Sequence, residues 1–356
     1  MIRRFYIGVL AAWIGAGTAL AERPEFLAKR DPAQVRLLCY NVNWDSIFPD
    51  DDPLNHKWRK YNCAAAFVRV LKAVAPDVVC LQEINQTRPV QQVATILNRA
   101  VPVDPDDDSR LWQAYLGQDN VIAARWPLKM TASDTSPPTD RGHAMALVDL
   151  PDDRYAADLY VIDAHFKSGG GAENIARRVK HADAIVQWIR DARTAGGNID
   201  LPARTPIVIC GDMNVYDNDA RRHLFTLVSG DVADEQAFGA DILPDWDNTV
   251  MGDVLPSHNA RGAEHWTWRD DTTKFNPGPL DHVVYTDSVL RVAHAFVLDT
   301  TMLSDAELQA AGLEKGDVAL DLAKGEFDHL PIVVDFVVPG RGEGEAGAAK
   351  RGDGRR

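Results

Sequence analysis

The chain has 356 residues, of which 46% are hydrophobic and 25% are charged, and its formal net charge at pH 7 is −14. This composition is that of an ordinary globular protein with enough apolar side chains for one large core. The negative charge argues against a surface that wraps long nucleic acid, because such binding depends on cationic contacts to phosphate, although a local site can carry the opposite charge.

The N-terminal residues 1–21 have the pattern of an export signal. Arg3 and Arg4 precede an uncharged run that ends in Ala-Leu-Ala, which is the small-x-small pattern of a signal-peptidase site. We expect the mature chain to begin near Glu22 and to be secreted or periplasmic, without stable membrane insertion after cleavage. An uncleaved membrane anchor is the alternative, because the uncharged run is at the short limit for crossing a bilayer. Cleavage would remove two arginines and no acidic residue, which changes the net charge from −14 to −16.

Apolar runs rich in β-branched residues, and amphipathic runs between some of them, predict the main elements. Strands are predicted at 35–40, 78–81, 120–124, 144–150, 159–164, 207–210, 282–285 and 332–338. Helices are predicted at 58–74, 89–99 and 174–193. Early strands alternate with helices, whereas later strands follow one another through turns, so a sandwich of mixed sheets with outer helices fits better than one parallel sheet.

The C-terminal residues 339–356 have a different composition from the rest of the chain. They consist mainly of Gly, Arg, Glu and Ala without periodicity, which is typical of a disordered tail. We therefore predict a signal peptide at 1–21, one folded domain at 22–338, and a tail at 339–356.

Polar side chains occur where several predicted strands begin or end. These residues are Asn41, Asn43, Glu83, His165, Lys167, Asp212, Asn214, Asp281, Asp328 and His329. A side chain at the end of a strand can be held rigidly by the sheet while it faces a cleft. Carboxylates and amides with two histidines suit a hard cation bound through oxygen, together with acid–base groups, and they do not suit zinc.

In chain order these residues form the motifs N-x-N, Q-E, H-x-K-S, G-D-x-N, a strand-leading Asp and a final D-H. The ordered series resembles the endonuclease/exonuclease/phosphatase superfamily, which includes pancreatic-type deoxyribonucleases, abasic-site endonucleases, bacterial sphingomyelinases and inositol-polyphosphate phosphatases. The resemblance extends from about residue 35 to residue 338. It implies an α/β fold for the domain at 22–338, a four-layer, deoxyribonuclease I-like sandwich of two mixed, largely antiparallel β-sheets flanked by helices.

The resemblance implies a bound Mg²⁺, for which Mn²⁺ or Ca²⁺ could substitute. Glu83 would be the principal ligand, with Asp328 as a second carboxylate on the metal side and Asn41 beside the ion. The chain departs from the family at Phe327, where a serine or threonine usually precedes the Asp, and at Asn43, where many members carry an aspartate. Both differences imply weaker metal binding.

The resemblance also implies the catalytic group. Asp212 and Asn214 would position or deprotonate the attacking water and bind the reacting phosphate. His329, oriented by Asp281, would contact the phosphoryl group or transfer a proton, and His165 would face the leaving group. Which residue is the general base stays open.

The candidate substrate-binding residues are Lys167, Arg141, Asn43 and Trp268. Lys167 begins the sequence Lys-Ser-Gly-Gly, which suits a loop that faces phosphate. Arg141 could bind phosphate, although a solvated arginine is the commoner outcome. Trp268 could stack on a base or pack on a sugar, and a place in the sandwich core is an equally good interpretation of this residue.

We therefore expect metal-dependent hydrolysis of phosphate esters, most directly by a monomeric, nuclease-like phosphodiesterase whose substrate could be DNA or RNA. The alternatives among enzymes are a sphingomyelinase, which should expose an apolar loop for membrane contact, and an inositol-phosphate phosphatase, which should gather basic residues. A catalytically silent binding or toxin-type subunit is the alternative from another class. The complete set of acidic and imidazole groups argues against it.

Overall fold

The computed structural model describes residues 23–134, 141–216 and 221–340, so the predicted signal peptide and nearly all of the predicted tail lie outside the described residues. In this part of the chain the helices are α1 (Ala64–Val74), α2 (Gln91–Ala100), α3 (Ala172–Ala192), α4 (Arg222–Ser229), α5 (Glu235–Phe238) and α6 (Asp305–Ala311). Among the described residues, no helix combines the length and the apolar character needed to cross a bilayer.

Most of the strands belong to two large sheets. The strands are β1 (Val35–Asn41), β2 (Val78–Gln82), β3 (Gln113–Gly117), β4 (Asn120–Ala124), β5 (Leu128–Asp134), β6 (His143–Val148), β7 (Leu159–Ala164), β8 (Ile207–Asp212), β9 (Gly252–Val254), β10 (Trp268–Asp270), β11 (Asp281–Tyr285), β12 (Arg291–Val297), β13 (Glu326–His329) and β14 (Ile332–Val337). The first sheet has the order β12-β14-β1-β2-β4-β3 and the second has the order β5-β6-β7-β8-β11-β9, while β10 and β13 form a separate ribbon. Only the pairs β1–β2 and β7–β8 are parallel among these strands. The predicted sandwich of two mixed, largely antiparallel sheets is confirmed.

The core lies between the two sheets and beneath the outer helices. Leu38 of β1 and Val208 of β8 belong to one apolar cluster that joins the inner faces of both sheets. Ile209, the next residue of β8, points to the opposite face and packs in a second cluster with Ile185 and Ile189 of α3. The inner strands β6, β7 and β8 of this sheet are buried along their whole length, so they are continuous apolar runs, which is why the sequence predicts them well.

Several elements differ from the sequence-based expectation. The helix predicted at 58–74 begins only at Ala64, so its predicted start is wrong. Residues 58–63 are instead held to the loop after β1: Arg59 donates to the backbone oxygen of Phe48 at 2.8 Å, and the amide of Cys63 donates to the oxygen of Ser46 at 2.7 Å. The sequence also gave no prediction for β3, β5 and β12, which lie at the edges of the sheets and carry partly exposed, mixed side chains.

The topology brings the ends of several strands to one place. Parallel pairing aligns the C-terminal ends of β1 and β2, and likewise those of β7 and β8. β11 is antiparallel to β8, so its first residue, Asp281, pairs with Asp212 at the end of β8. Gly211 permits the close approach of β8 to β7, since it has φ +133° and a Cβ there would lie 1.9 Å from the backbone oxygen of Ala164.

Candidate active site

A cleft of about 880 Å³ opens where these strand ends meet. The predicted residues that line it are Glu83, Arg141, His165, Lys167, Asp212, Asn214, Trp268, Asp328 and His329. Asn41 and Asp281 are buried and bond to residues of the lining. Asn43 lines a neighbouring cavity of about 510 Å³, which shares Asp328 with the cleft. The structure thus gathers all twelve predicted residues in one region.

The imidazole of His329 lies between two carboxylates. Its Nδ1 is 2.7 Å from Asp281 Oδ2, and its Nε2 is 3.5 Å from Asp212 Oδ2. Asp281 Oδ2 also accepts a hydrogen bond of 2.6 Å from the hydroxyl of Thr267, a residue that the sequence analysis missed. Burial alone would lower the pKa of His329, but the charges of Asp281 and Asp212 outweigh burial and raise that pKa well above its usual value. His329 is therefore an imidazolium that can donate from Nε2.

His165 has a similar arrangement on the other side of Asp212. Its Nδ1 is 2.8 Å from Asp119 Oδ2, and its Nε2 is 3.4 Å from Asp212 Oδ2. Burial and the neighbouring Arg141, which contacts the ring, lower the pKa of His165, but Asp119 and Asp212 raise it more, to about 9. Asp119 was not predicted, because it lies in the turn between β3 and β4 and belongs to no motif.

Asp212 connects the two halves of the site. Asn41 Nδ2 donates to its Oδ2 at 3.1 Å, and the backbone amide of Asn214 donates to its Oδ1 at 2.9 Å. Burial would raise the pKa of Asp212, but His329 and His165 hold it well below the usual range. The ionised form of Asp212 is therefore favoured, and this carboxylate is oriented by two amides and faced by two imidazoles.

Asn214 is fixed through both ends of its side-chain amide. Its Nδ2 donates to the backbone oxygen of Phe166 at 3.0 Å, and its Oδ1 accepts from the hydroxyl of Tyr216 at 2.8 Å. The same hydroxyl accepts from the backbone amide of Gly169 at 3.0 Å. Tyr216, also missed from sequence, thus ties the end of β8 to the Lys-Ser-Gly-Gly loop, and this network orients the amide towards the cleft.

Glu83 and Asp328 occupy strained backbone positions on the remaining side. They have φ +68° and +51°, in the left-handed region that costs a residue with a Cβ roughly 1–3 kcal/mol and that is frequent at functional sites. Glu83 Oε2 accepts from the amide of Trp44 at 3.0 Å. Asp328 accepts from Asn43 Nδ2 at 2.5 Å and from Trp268 Nε1 at 3.2 Å. In the structure, the Trp268 indole nitrogen is thus engaged with a carboxylate.

The donor chemistry of the cleft fits a hard divalent cation. Glu83 Oε1 accepts no hydrogen bond from any described residue and lies 3.7 Å from Arg141 Nη1 and 3.9 Å from His165 Nε2. Burial raises the pKa of Glu83 to about 7, and this effect outweighs the charges of His165 and Arg141, which lower the pKa. A second set of possible ligand atoms comes from Asp212, Asp281 and His329, which lie within 4.8 Å of one another. Oxygen atoms dominate this set, as Mg²⁺ and related ions require.

The comparisons with known proteins agree with this architecture. A family model described as the Endonuclease/Exonuclease/phosphatase family matches residues 38–305. No curated protein matches the chain significantly. Members of the matching family are generally phosphoric ester hydrolases that depend on a divalent metal.

Solved structures of low sequence identity share the fold. The human Nocturnin catalytic domain with a bound sulfate anion is similar at a TM-score of 0.52 and 14% identity, covering 86% of this chain and 95% of that chain. A humanized D. rerio TDP2 is similar at 0.52 and 16%, covering 86% and 100%. A mannosyl-6-phosphatase of Bacteroides thetaiotaomicron VPI-5482 is similar at 0.50 and 13%, covering 85% and 99%. With the family match over most of the chain and this shared fold, the protein belongs to the endonuclease/exonuclease/phosphatase family.

Proposed function

We propose that the protein is a phosphodiesterase that hydrolyses small or single-stranded phosphodiesters with the help of a divalent cation. The observation that carries this proposal is the pair of buried imidazoles on either side of Asp212. Each ring is held by a carboxylate of its own through Nδ1 and turns its Nε2 towards the same Asp212 oxygen, at 3.4 Å and 3.5 Å. A diester needs charge relief on its phosphoryl oxygens and a proton for the departing alkoxide, and two separate imidazolium groups can supply both.

Each residue then has a distinct role. His329 donates a hydrogen bond from Nε2 to a phosphoryl oxygen, where negative charge increases during attack. Asp212 accepts a hydrogen bond from the attacking water and orients it, since its low pKa makes it a better acceptor than a base. His165 transfers the proton on Nε2 to the leaving oxygen as the P–O bond breaks. The proton released by the water returns to the coupled group of Asp212 and the two histidines.

Glu83 and Asp328, with Asn41 nearby, would hold the cation. A cation held there would supply charge neutralisation at the phosphate. Arg141 and Lys167 line the same cleft and add positive charge where a phosphate enters. These groups allow an acidic protein to bind an anionic substrate locally.

The test is an assay of the purified mature chain with Mg²⁺, Mn²⁺ or Ca²⁺. The substrates are bis(p-nitrophenyl) phosphate, p-nitrophenyl phosphate, single-stranded DNA, RNA, plasmid DNA and sphingomyelin. We expect hydrolysis of the aryl diester and of single strands, loss of this activity in EDTA, and its return on adding the cation. Faster turnover of the monoester than of every diester, or full activity in EDTA, would overturn the proposal.

A further inference from the structure

We propose that an aromatic cluster on the wall of the cleft binds a nucleobase, so that the preferred substrate is a short, unpaired nucleotide diester. The cluster, here called the aromatic platform, consists of Trp44, His56 and Trp58. This inference rests on the proposed phosphodiesterase function and names the class of its substrate.

The platform consists of aromatic side chains that contact one another on the cleft wall. The rings of Trp44 and His56 are stacked, with centroids 4.5 Å apart and planes at 24°, and the ring of Trp58 meets that of Trp44 edge-on at 4.7 Å. All three residues line the cleft that also contains Glu83 and Asp212. Trp58 is 53% exposed. A large aromatic side chain that stays exposed in a cleft is typical of a binding surface.

The platform is held rigidly by its own loop. The carboxylate of Asp45 accepts from the backbone amide of His56 at 2.8 Å and from Arg88 Nε at 3.2 Å. The side chains of Asp45 and Arg88 are both fully buried, so this ion pair fixes the loop from beneath. The exposed side chain of Trp58 thus belongs to an ordered surface. Ligand binding therefore costs less conformational entropy of the protein.

The platform adjoins the groups that would act on phosphate. The backbone amide of Trp44 donates to Glu83 Oε2 at 3.0 Å. The guanidinium of Arg141 lies 5.3 Å from the centre of the Trp44 ring and 3.7 Å from Glu83 Oε1. A ring stacked on the platform would therefore belong to the nucleoside esterified to the reacting phosphate.

The chemistry of the surrounding residues favours a base over a sugar. Burial lowers the pKa of His56, so its ring is neutral at pH 7 and suits stacking between uncharged planes. A sugar would need polar partners for its hydroxyls, but the amide of the neighbouring Asn85 is already engaged, since it donates to the backbone oxygen of Leu54 and accepts from the backbone amide of Thr87. Base stacking on aromatic side chains needs no such partners and tolerates every base.

The size and charge of the molecule limit the length of the substrate. The cleft volume of about 880 Å³ lies within the range of small-ligand sites. The net charge of −14 opposes extended contacts with a polyanion. A mononucleoside diester or a short single strand meets both limits, whereas a duplex keeps its bases stacked inside the helix and away from the platform.

The experiment measures binding by calorimetry, so that it does not depend on turnover. Adenosine 5′-monophosphate, ribose 5-phosphate and mannose 6-phosphate are titrated, with Mg²⁺, into the mature wild type, Trp58→Ala, Trp58→Phe and Phe225→Ala. Phe225 is the matched control, because it is 52% exposed on α4 and does not line the cleft. Circular dichroism and thermal unfolding verify that each variant is folded.

We expect the wild type to bind the nucleotide about tenfold more tightly than ribose 5-phosphate, and Trp58→Ala to remove that difference while leaving the affinity for ribose 5-phosphate unchanged. Trp58→Phe should retain part of the difference, and Phe225→Ala should retain all of it. Unchanged nucleotide binding in Trp58→Ala, an equal loss for all three ligands, or a matching loss for mannose 6-phosphate would overturn the proposal. If the nucleotide binds as expected but no diester is hydrolysed, the proposed phosphodiesterase function is wrong. The proposal that the aromatic platform binds a nucleobase is then still supported.

Discussion

At the residue scale, the most informative unpredicted contact is that between Asp119 and His165. The carboxylate is 2.8 Å from His165 Nδ1 and helps to raise the pKa of that ring to about 9. Asp119 belongs to no motif, and its partner directly follows β7 in the other sheet. By contrast, Asp281 and His329 lie at strand ends and belong to sequence motifs, which is why both could be predicted from the sequence.

Replacing Asp119 with Asn should shift the alkaline limb of the pH profile. Protonated His165 is present below a pKa of about 9 and is lost as the pH rises through it. Without the carboxylate, the pKa falls, so kcat for an unactivated diester should decline at a pH about one unit lower or more. Asp108→Asn, at an exposed position, controls for the loss of one charge. An alkaline limb at the same pH in both variants would exclude His165 as the proton donor.

If Glu83 holds the cation as proposed, metal binding should depend on pH. Burial raises its pKa to about 7, so a proton competes with the cation below that pH, and the ionised carboxylate is available above it. The affinity for Mn²⁺, measured by electron paramagnetic resonance, should be constant from pH 7.5 to 8.5 and fall by up to about tenfold per unit below pH 7. Glu83→Gln should bind weakly and lose most of this dependence, whereas Glu235→Gln, at an exposed position, should match the wild type. A Glu83→Gln titration that matches the wild type would remove this residue from the metal site.

At the element scale, the sequence predicts elements that are buried and fails for those at the edges. β7 and β8 are buried along their whole length, and their apolar runs are evident. β5 is largely exposed, so its mixed side chains give no alternating pattern that distinguishes it from a loop. The helix predicted from residue 58 begins later because Arg59 and Cys63 bond to the preceding loop, and such tertiary contacts leave no periodic signal.

The junction between β7 and β8 depends on Gly211. An alanine there would place its Cβ 1.9 Å from the oxygen of Ala164 and would have to adopt φ +133°. Gly211→Ala should therefore lower the free energy of unfolding in urea by about 2 kcal/mol or more. Gly316→Ala has no atom within 4 Å of the added Cβ and should stay within about 0.5 kcal/mol of the wild type. Equal stability of the two variants would contradict this account of the junction.

At the scale of the whole molecule, we propose that the chain is exported through residues 1–21. Their two arginines, uncharged run and Ala-Leu-Ala ending support this. N-terminal sequencing of the protein recovered outside the cytoplasm should then begin at Glu22. A first residue of Met1 in that fraction would contradict cleavage and favour the membrane anchor.

The arrangement of the whole cleft follows from the topology. From the sequence, the gathering of these residues in one site could be predicted only from the order of the motifs along the chain. Nothing local indicates that Asn41 of the first sheet contacts Asp212 of the second, at 3.1 Å. Thr267 and Tyr216, which support Asp281 and Asn214, likewise become visible only when distant loops meet. The sequence could therefore predict the residues proposed to act directly, together with Asp281, but not Thr267, Tyr216 or Asp119.

The most direct test of the central claim is a double-mutant cycle on His329 and Asp281, with kcat for bis(p-nitrophenyl) phosphate as the readout. His329→Ala should lower kcat by roughly 100-fold or more, and Asp281→Asn should lower it through the same ring. The double variant should therefore be scarcely slower than His329→Ala alone. His294→Ala, on β12 and bonded to the backbone of Phe26, is the histidine control and should keep full activity. Turnover near the wild-type value in folded His329→Ala, or losses that multiply in the double variant, would contradict the account.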